Sequence, residues 1–260
     1  MKNAGRLLAG LLLLWVGCWL PLGILAGDPT LLLHPLQAPE ALRVTYLVLL
    51  YGGLLVLLNH LWKGHPPGPI LWGSWSSVLM VWLLTLLSTA LHRGVLAWGG
   101  HWSPQWPASP AWLSALLIAP GLAIVEELVF RGYLFASLRR QQGTWTAALA
   151  VSGLFALVHL FRPGSLDFKL AYGLGLFLAS LLLILVVLRL GLWPAAAMHS
   201  AWITAAVLDP PTQMASHWWS GLRGEPAAGL CSWIFLLLSA GVIWKFFNPR
   251  SSGGPHDCLS

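Results

Sequence analysis

Apolar segments of about 20 residues, the length that crosses a bilayer as an α-helix, recur along the whole chain. Eight candidate spans are separated by breaks that carry Pro, Gly or charge: residues 7–26, 42–62, 71–97, 112–137, 145–161, 169–188, 192–208 and 229–247. Charged residues make up 8% of the chain, against about 25% in soluble domains. The pattern predicts an all-α fold, a polytopic membrane helix bundle of about eight transmembrane helices, as one membrane domain over residues 1–260.

Two of these spans have unusual boundaries. The first resembles a signal peptide, but its apolar run is long and no small-residue cleavage site follows, so we expect a retained first span. The sixth and seventh spans are separated only by Arg189-Leu190-Gly191. This break predicts either a tight turn between two helices or one interrupted helix.

Lysine and arginine residues orient the spans, because cytoplasmic loops carry an excess of them. With the N-terminus inside, more of these residues fall on the cytoplasmic side than on the external side. The cytoplasmic ones are Lys2, Arg6, Lys63, Arg139, Arg140, Arg189, Lys245 and Arg250. The external ones are Arg43, Arg93, Arg162, Lys169 and Arg223. We therefore expect both termini to be cytoplasmic, in a protein of the bacterial inner (plasma) membrane. The lipid bilayer is an expected partner. Nucleic acid is not, because no basic cluster with interleaved aromatic residues occurs.

Glu126 and Glu127 stand side by side in the apolar fourth span. A carboxylate at the centre of a membrane helix costs about 2.5–3.5 kcal/mol on insertion scales, so an intramembrane pair indicates a functional site. Arg131 follows Glu127 by four residues, the favourable order for a helical ion pair, and we expect this pair to order the structure. Glu126 points about 100° away and has no counter-ion in its own helix. An unpaired carboxyl suits a general base or acid.

Two histidines lie in neighbouring apolar spans. His159 shares a helical face with Phe155 at the end of the fifth span, and His199 lies in the seventh. At a rise of 1.5 Å per residue, Glu126 and His199 fall at a similar depth, whereas His159 falls about 10 Å further out. The other histidines, including His60 and His92 near span ends, are expected to be solvated or interfacial.

A metal centre is the alternative to metal-free acid–base chemistry at these residues. Glu126, His159 and His199 are the donor types of a His₂Glu zinc site. The chain has no His-Glu-x-x-His motif, the arrangement in which two histidines on one helix bind zinc. We therefore predict neither a metal nor another cofactor.

Taken in order, Glu126-Glu127-x-x-x-Arg131, Phe155-x-x-x-His159 and His199 resemble the signature of the CAAX-protease and bacteriocin-processing family of intramembrane glutamic endopeptidases. The resemblance covers residues 110–208, which would be the core that carries the catalytic motifs. It implies an eight-span endopeptidase that acts on a membrane-associated protein or peptide. In such an enzyme Glu126 and His159 would activate water, Glu127 and Arg131 would order the site, and His199 would help to bind the oxyanion.

One position departs from the family pattern. The family usually has Asn or Asp four residues after the last histidine, where this chain has Ile203. Isoleucine cannot donate a hydrogen bond, so that part of the oxyanion hole is missing or supplied elsewhere. Two alternatives remain open. One is a non-catalytic membrane scaffold or regulator on the same fold. The other is a proton-coupled transporter that uses Glu126, although the sequence lacks the internal repeat typical of transporters.

Overall fold

The computed structural model describes residues 5–6, 9–10, 12–14, 16–17, 24, 40–64, 71–103, 111–160, 164–208 and 215–247. These residues form eight α-helices of the bundle, numbered in chain order: α1 Glu40–Gly64, α2 Trp75–Trp98, α3 Ala111–Glu127, α4 Ala136–Gln142, α5 Thr144–Val158, α6 Leu166–Arg189, α7 Leu192–Leu208 and α8 Leu230–Phe246. A π-helix, Leu128–Phe135, joins α3 directly to α4. No strand occurs among the described residues, and the predicted all-α membrane bundle is confirmed.

Seven of the eight predicted spans coincide with helices, and the first lies largely outside the described residues. Three helical segments are long and apolar enough to cross a membrane by length and composition: Thr45–Lys63, Trp75–Trp98 and Leu166–Arg189. Helices α5 and α8 are apolar but shorter. The fourth span is one continuous helical run through α3, the π-helix and α4, with α-helical backbone angles at both junctions.

The break between the sixth and seventh spans is a tight turn. Gly191 has a φ of +113°, a conformation that favours glycine. A Cβ at this position would also overlap the backbone of Gly73. The segment before α2 is hydrogen-bonded to the residues that follow the turn. The backbone N–H groups of Leu192 and Trp193 donate to the carbonyl oxygens of Leu71 and Trp72, at 2.7 and 3.0 Å.

Helix α7 lies in the interior of the bundle, packed against α2, α3 and α6. Its buried face is made largely of small side chains: Ala195, Ala196, Ala197, Ala201 and Ala205. Small residues let membrane helices approach closely, since close packing rather than the hydrophobic effect drives their association in lipid. The approach brings His199, on the same helix, against α3.

The site residues lie against an apolar cluster formed by α1, the π-helix and α5. Leu58, Phe130, Tyr133, Val151 and Phe155 are among its buried members. The π-helix is the irregular element here, and such segments are rare and frequent at functional sites. It begins at the residue after Glu127 and contains Arg131.

His92 corrects one expectation from the sequence. The sequence predicts a solvated or interfacial histidine here, because His92 is close to the end of the third span. It is buried, with 8% of its surface exposed, because α8 covers it. Its Nε2 lies 3.1 Å from Ser232 Oγ, and its ring meets Phe235 edge-on at 5.3 Å.

Gly175 on α6 allows a close helix–loop contact that can be tested. A Cβ at this position would overlap the carbonyl oxygen of Ala227, in the 3₁₀ turn Pro226–Ala228. Backbone cannot move aside as a flexible side chain does, so Gly175→Ala should destabilise the protein by about 1–3 kcal/mol, the usual cost of overpacking. The measurement is the melting temperature in detergent.

Gly153→Ala on α5 is the matched control, because a Cβ there meets no heavy atom of the described chain within 4 Å. Its melting temperature should be unchanged or slightly raised, since alanine favours a helix. Equal melting temperatures for the two variants would contradict the packing of α6 on this turn.

Candidate active site

The five predicted site residues come from four parts of the bundle. Glu126 and Glu127 end α3, Arg131 lies in the π-helix, His159 follows the last residue of α5, and His199 lies in the middle of α7. The structure brings four of them, all except His159, into one polar cluster inside the bundle.

Glu127 and Arg131 form a fully buried ion pair. Arg131 Nη1 donates to Glu127 Oε1 at 2.9 Å, and neither side chain has any exposed surface. The attraction within a buried ion pair offsets the free-energy cost of desolvation only when further contacts satisfy the charged groups. Arg131 makes such contacts with Ser180 and Phe155. Its Nη2 donates to Ser180 Oγ on α6 at 2.8 Å, and its guanidinium carbon lies 4.7 Å from the ring centroid of Phe155.

His199 joins α7 to this pair. Its Nδ1 lies 2.9 Å from Glu127 Oε1, the oxygen that also accepts from Arg131. An ionised carboxylate only accepts hydrogen bonds, so Nδ1 carries a proton in this arrangement. The hydrogen bond therefore fixes the orientation of the imidazole ring. Nε2 is left facing Glu126, with Glu126 Oε2 at 3.7 Å.

Glu126 has a different environment from Glu127, although the two are adjacent in sequence. Its side chain is 16% exposed, whereas that of Glu127 is fully buried. Its Oε1 accepts a hydrogen bond from the hydroxyl of Tyr51 on α1 at 2.6 Å. No sequence signal points to Tyr51, because it lies in another span and no spacing relates it to the glutamate pair.

His159 approaches the cluster without entering it. Its Nδ1 lies 2.7 Å from the carbonyl oxygen of Phe155, one turn earlier, so Nδ1 is the donor. The Phe155 ring lies between the cluster and His159, with centroids 4.6 Å from His159 and 5.9 Å from His199. Within the described part of the chain, no hydrogen bond or ion pair joins His159 to either glutamate.

The His₂Glu set considered from the sequence is not assembled. Among the residues that the structure describes, no three His, Cys, Asp or Glu side chains are arranged to hold a metal ion. Ile203 lies one turn after His199 on α7 and is partly buried. It places an apolar side chain where the family pattern has a hydrogen-bond donor.

Comparison with known protein families matches residues 107–205 to the family described as Rce1-like, type II CAAX prenyl endopeptidase Rce1-like. Comparisons with curated proteins and with solved structures gave no match. The matched segment contains all five predicted site residues and Ile203. Tyr51 lies outside it.

The family and the fold agree on the class of protein. Its apolar helices make the chain an integral membrane protein, and the family indicates a hydrolase that acts on membrane-associated proteins. The resemblance recognised from the glutamate and histidine motifs is thus confirmed. Over residues 107–205 the chain is similar to the Rce1-like family, and this similarity supports a CAAX-type intramembrane protease.

Proposed function

We propose that the protein is a glutamic-type endopeptidase that hydrolyses a peptide bond of a membrane-associated protein or peptide, with Glu126 as the general base. One observation carries the proposal. Glu126 Oε2 and His199 Nε2 face each other at 3.7 Å, while the other polar atom of each side chain is already held, by Tyr51 and by Glu127. Two oriented groups at this distance can both contact a single water molecule.

The reaction follows from the positions of these two groups. Glu126 takes a proton from the water, and the resulting hydroxide attacks the carbonyl carbon of the peptide bond. The tetrahedral intermediate then collapses, its C–N bond breaks, and Glu126 returns the proton to the leaving nitrogen. For His199 to stabilise the oxyanion through Nε2, it must carry protons on both nitrogens, because Nδ1 already donates to Glu127.

Glu127 and Arg131 have a positioning role in this mechanism. Neither is exposed, and Arg131 and His199 both contact Oε1 of the Glu127 carboxylate. The pair holds the imidazole of His199 in one orientation, as a carboxylate does in hydrolytic triads.

His159 remains a proposed catalytic residue on the strength of the resemblance. Its Nδ1 is bound to Phe155, so the neutral ring has its free lone pair on Nε2. This state suits a proton acceptor or a ligand for the attacking water. Contact with Glu126 would require the substrate, a bridging water or a movement of the Phe155 ring.

The first test compares wild-type and Glu126→Gln protein by membrane peptidomics in the native host. Cleavage products that depend on Glu126 would support the enzyme, and their sequences would define the substrate. The same peptide profile for both proteins would instead favour a scaffold or regulator, the reading that Ile203 allows.

The two glutamates should respond differently to amide substitution. Glu127→Gln and Arg131→Met each leave an uncompensated buried group, which typically costs about 3–5 kcal/mol, so both should lower the melting temperature. Glu126→Gln keeps the shape and can still accept from Tyr51, so stability should be unchanged or improved. It should nevertheless abolish turnover, because an amide cannot accept the proton of the water.

The measurement is the melting temperature in detergent together with cleavage of a substrate identified by peptidomics. Ser180→Ala serves as a milder probe of the pair, since it removes one contact of Arg131 and leaves the charges matched. Cleavage at the wild-type rate by Glu126→Gln would end its assignment as the base.

Ile203→Asn tests the departure from the family pattern. An added amide one turn after His199 should raise turnover or leave it unchanged, without unfolding the protein. The scale is set by oxyanion donors in other enzymes, whose loss costs about 10²–10³ in rate. A sharp fall in turnover with an unchanged melting temperature would mean that Ile203 is required as an apolar wall.

Chelation tests the metal-free mechanism. Because the chain has no His-Glu-x-x-His motif, cleavage should survive exhaustive treatment with EDTA. Purified protein should contain no stoichiometric zinc by elemental analysis. Loss of cleavage with chelator and recovery with added zinc would replace general-base catalysis by zinc-activated water.

A further inference from the structure

Tyr51 is the polar contact of the site that comes from outside the matched segment. Its hydroxyl donates to Glu126 Oε1 at 2.6 Å, across 75 positions of sequence. A hydroxyl at this distance holds one oxygen of the carboxyl that the proposed mechanism uses as the general base.

The bond gives the two oxygens of Glu126 different surroundings. Oε1 is held by Tyr51, whereas Oε2 faces His199 Nε2. A glutamate side chain has several rotatable bonds, and its freedom has to be restricted before one oxygen can act reproducibly. With Oε1 fixed, Oε2 is the oxygen presented to the water.

Helix α1 holds the tyrosine in place. Tyr51 packs against the apolar cluster to which the same helix contributes Leu54, Leu58 and Leu61. A tyrosine ring has only two side-chain torsions, so a packed ring positions its hydroxyl at little entropic cost. The packing of α1 therefore helps to position the Glu126 carboxylate at the end of α3, through the hydroxyl of Tyr51.

We propose that Tyr51 is a positioning residue of the active site, which orients the Glu126 carboxylate so that Oε2 can take a proton from the attacking water. The effect on kcat rests on the proposed function, because it requires Glu126 to be the general base. The hydrogen bond itself can be tested without any activity. Helix α1 would then be part of the catalytic unit, although the family match begins only at residue 107.

Tyr51→Phe removes the hydroxyl and keeps the ring, so the packing of α1 is retained. We expect kcat to fall by about 10-fold to 100-fold, the scale on which misplacement of a reacting group reduces rate. KM should stay within about 2-fold of the wild-type value, a normal experimental margin for a group that does not bind substrate. A structural role alone would change the melting temperature and the amount of folded enzyme, but not kcat per folded molecule.

Tyr172→Phe is the matched control. It removes the hydroxyl of a buried tyrosine on α6 whose ring stacks on Phe168 at 5.5 Å. Its kcat should equal that of the wild type. Equal kcat values for Tyr51→Phe and the wild type would overturn the positioning role.

A double-mutant cycle on melting temperature tests the contact independently. The four proteins are the wild type, Tyr51→Phe, Glu126→Ala and the double variant. Alanine is used because glutamine could still accept from Tyr51. The shift caused by Tyr51→Phe should be clearly smaller when Glu126 is absent. Equal shifts in both backgrounds would overturn the proposed contact.

The two measurements separate the possible failures. If Glu126→Gln retains wild-type cleavage, the proposed function falls, while the cycle still decides whether Tyr51 and Glu126 interact. If Glu126 proves essential and Tyr51→Phe cleaves normally, the function stands and the positioning role is rejected.

Discussion

One carboxylate oxygen, Glu127 Oε1, joins the main parts of the site. It accepts from Arg131 in the π-helix and from His199 on α7, both at 2.9 Å. In a bilayer interior such a charge is tolerated only when it is paired and hydrogen-bonded. The bundle therefore has to keep α7 against α3, because separating them would remove one partner of a buried charge. The polar cluster thus fixes the relative position of two helices as well as the orientation of one imidazole.

The packing of α7 explains how this contact is possible. Its buried alanines allow a close approach, and the turn at Gly191 begins the helix immediately after α6. Helix α6 in turn supplies Ser180, which binds Arg131 from the other side. The same short connection that places α6 beside α7 thus brings a second donor–acceptor contact to the ion pair. The arginine is held by three separate elements of the bundle.

Much of this arrangement follows from the sequence, and the physical reasons are specific. The span boundaries follow from apolar length, and the Glu127–Arg131 pair follows from helical spacing, because both are local properties. The depth of His199 follows from its distance to the start of its span. The contact between Tyr51 and Glu126 does not follow from the sequence, since it depends on how α1 is rotated against α3. The burial of His92 likewise depends on α8, which lies far along the chain.

The π-helix is the other feature that the sequence does not show. Apart from Gly132, the run Leu128–Phe135 contains only residues that an α-helix tolerates well, so its sequence does not distinguish a π-helix from an α-helix. Such an insertion becomes favourable through tertiary contacts, which are not encoded in local propensity. Here the segment contains Arg131 and the buried aromatic residues Phe130 and Tyr133, so its geometry is tied to the packing around the ion pair.

The balance of charge connects the two adjacent glutamates to the proposed reaction. Glu126, Glu127 and Arg131 together carry one net negative charge, and an uncompensated charge is costly in an apolar interior. The proposed reaction requires His199 to carry a second proton, and that proton would cancel the excess charge. When Glu126 then takes a proton from water, the negative charge moves to the oxyanion, and the total stays at zero. His199 can donate from Nε2 in that state, which is the role that the resemblance assigns to it. In the proposed reaction, the buried Glu127 holds the imidazole while the partly exposed Glu126 exchanges the proton.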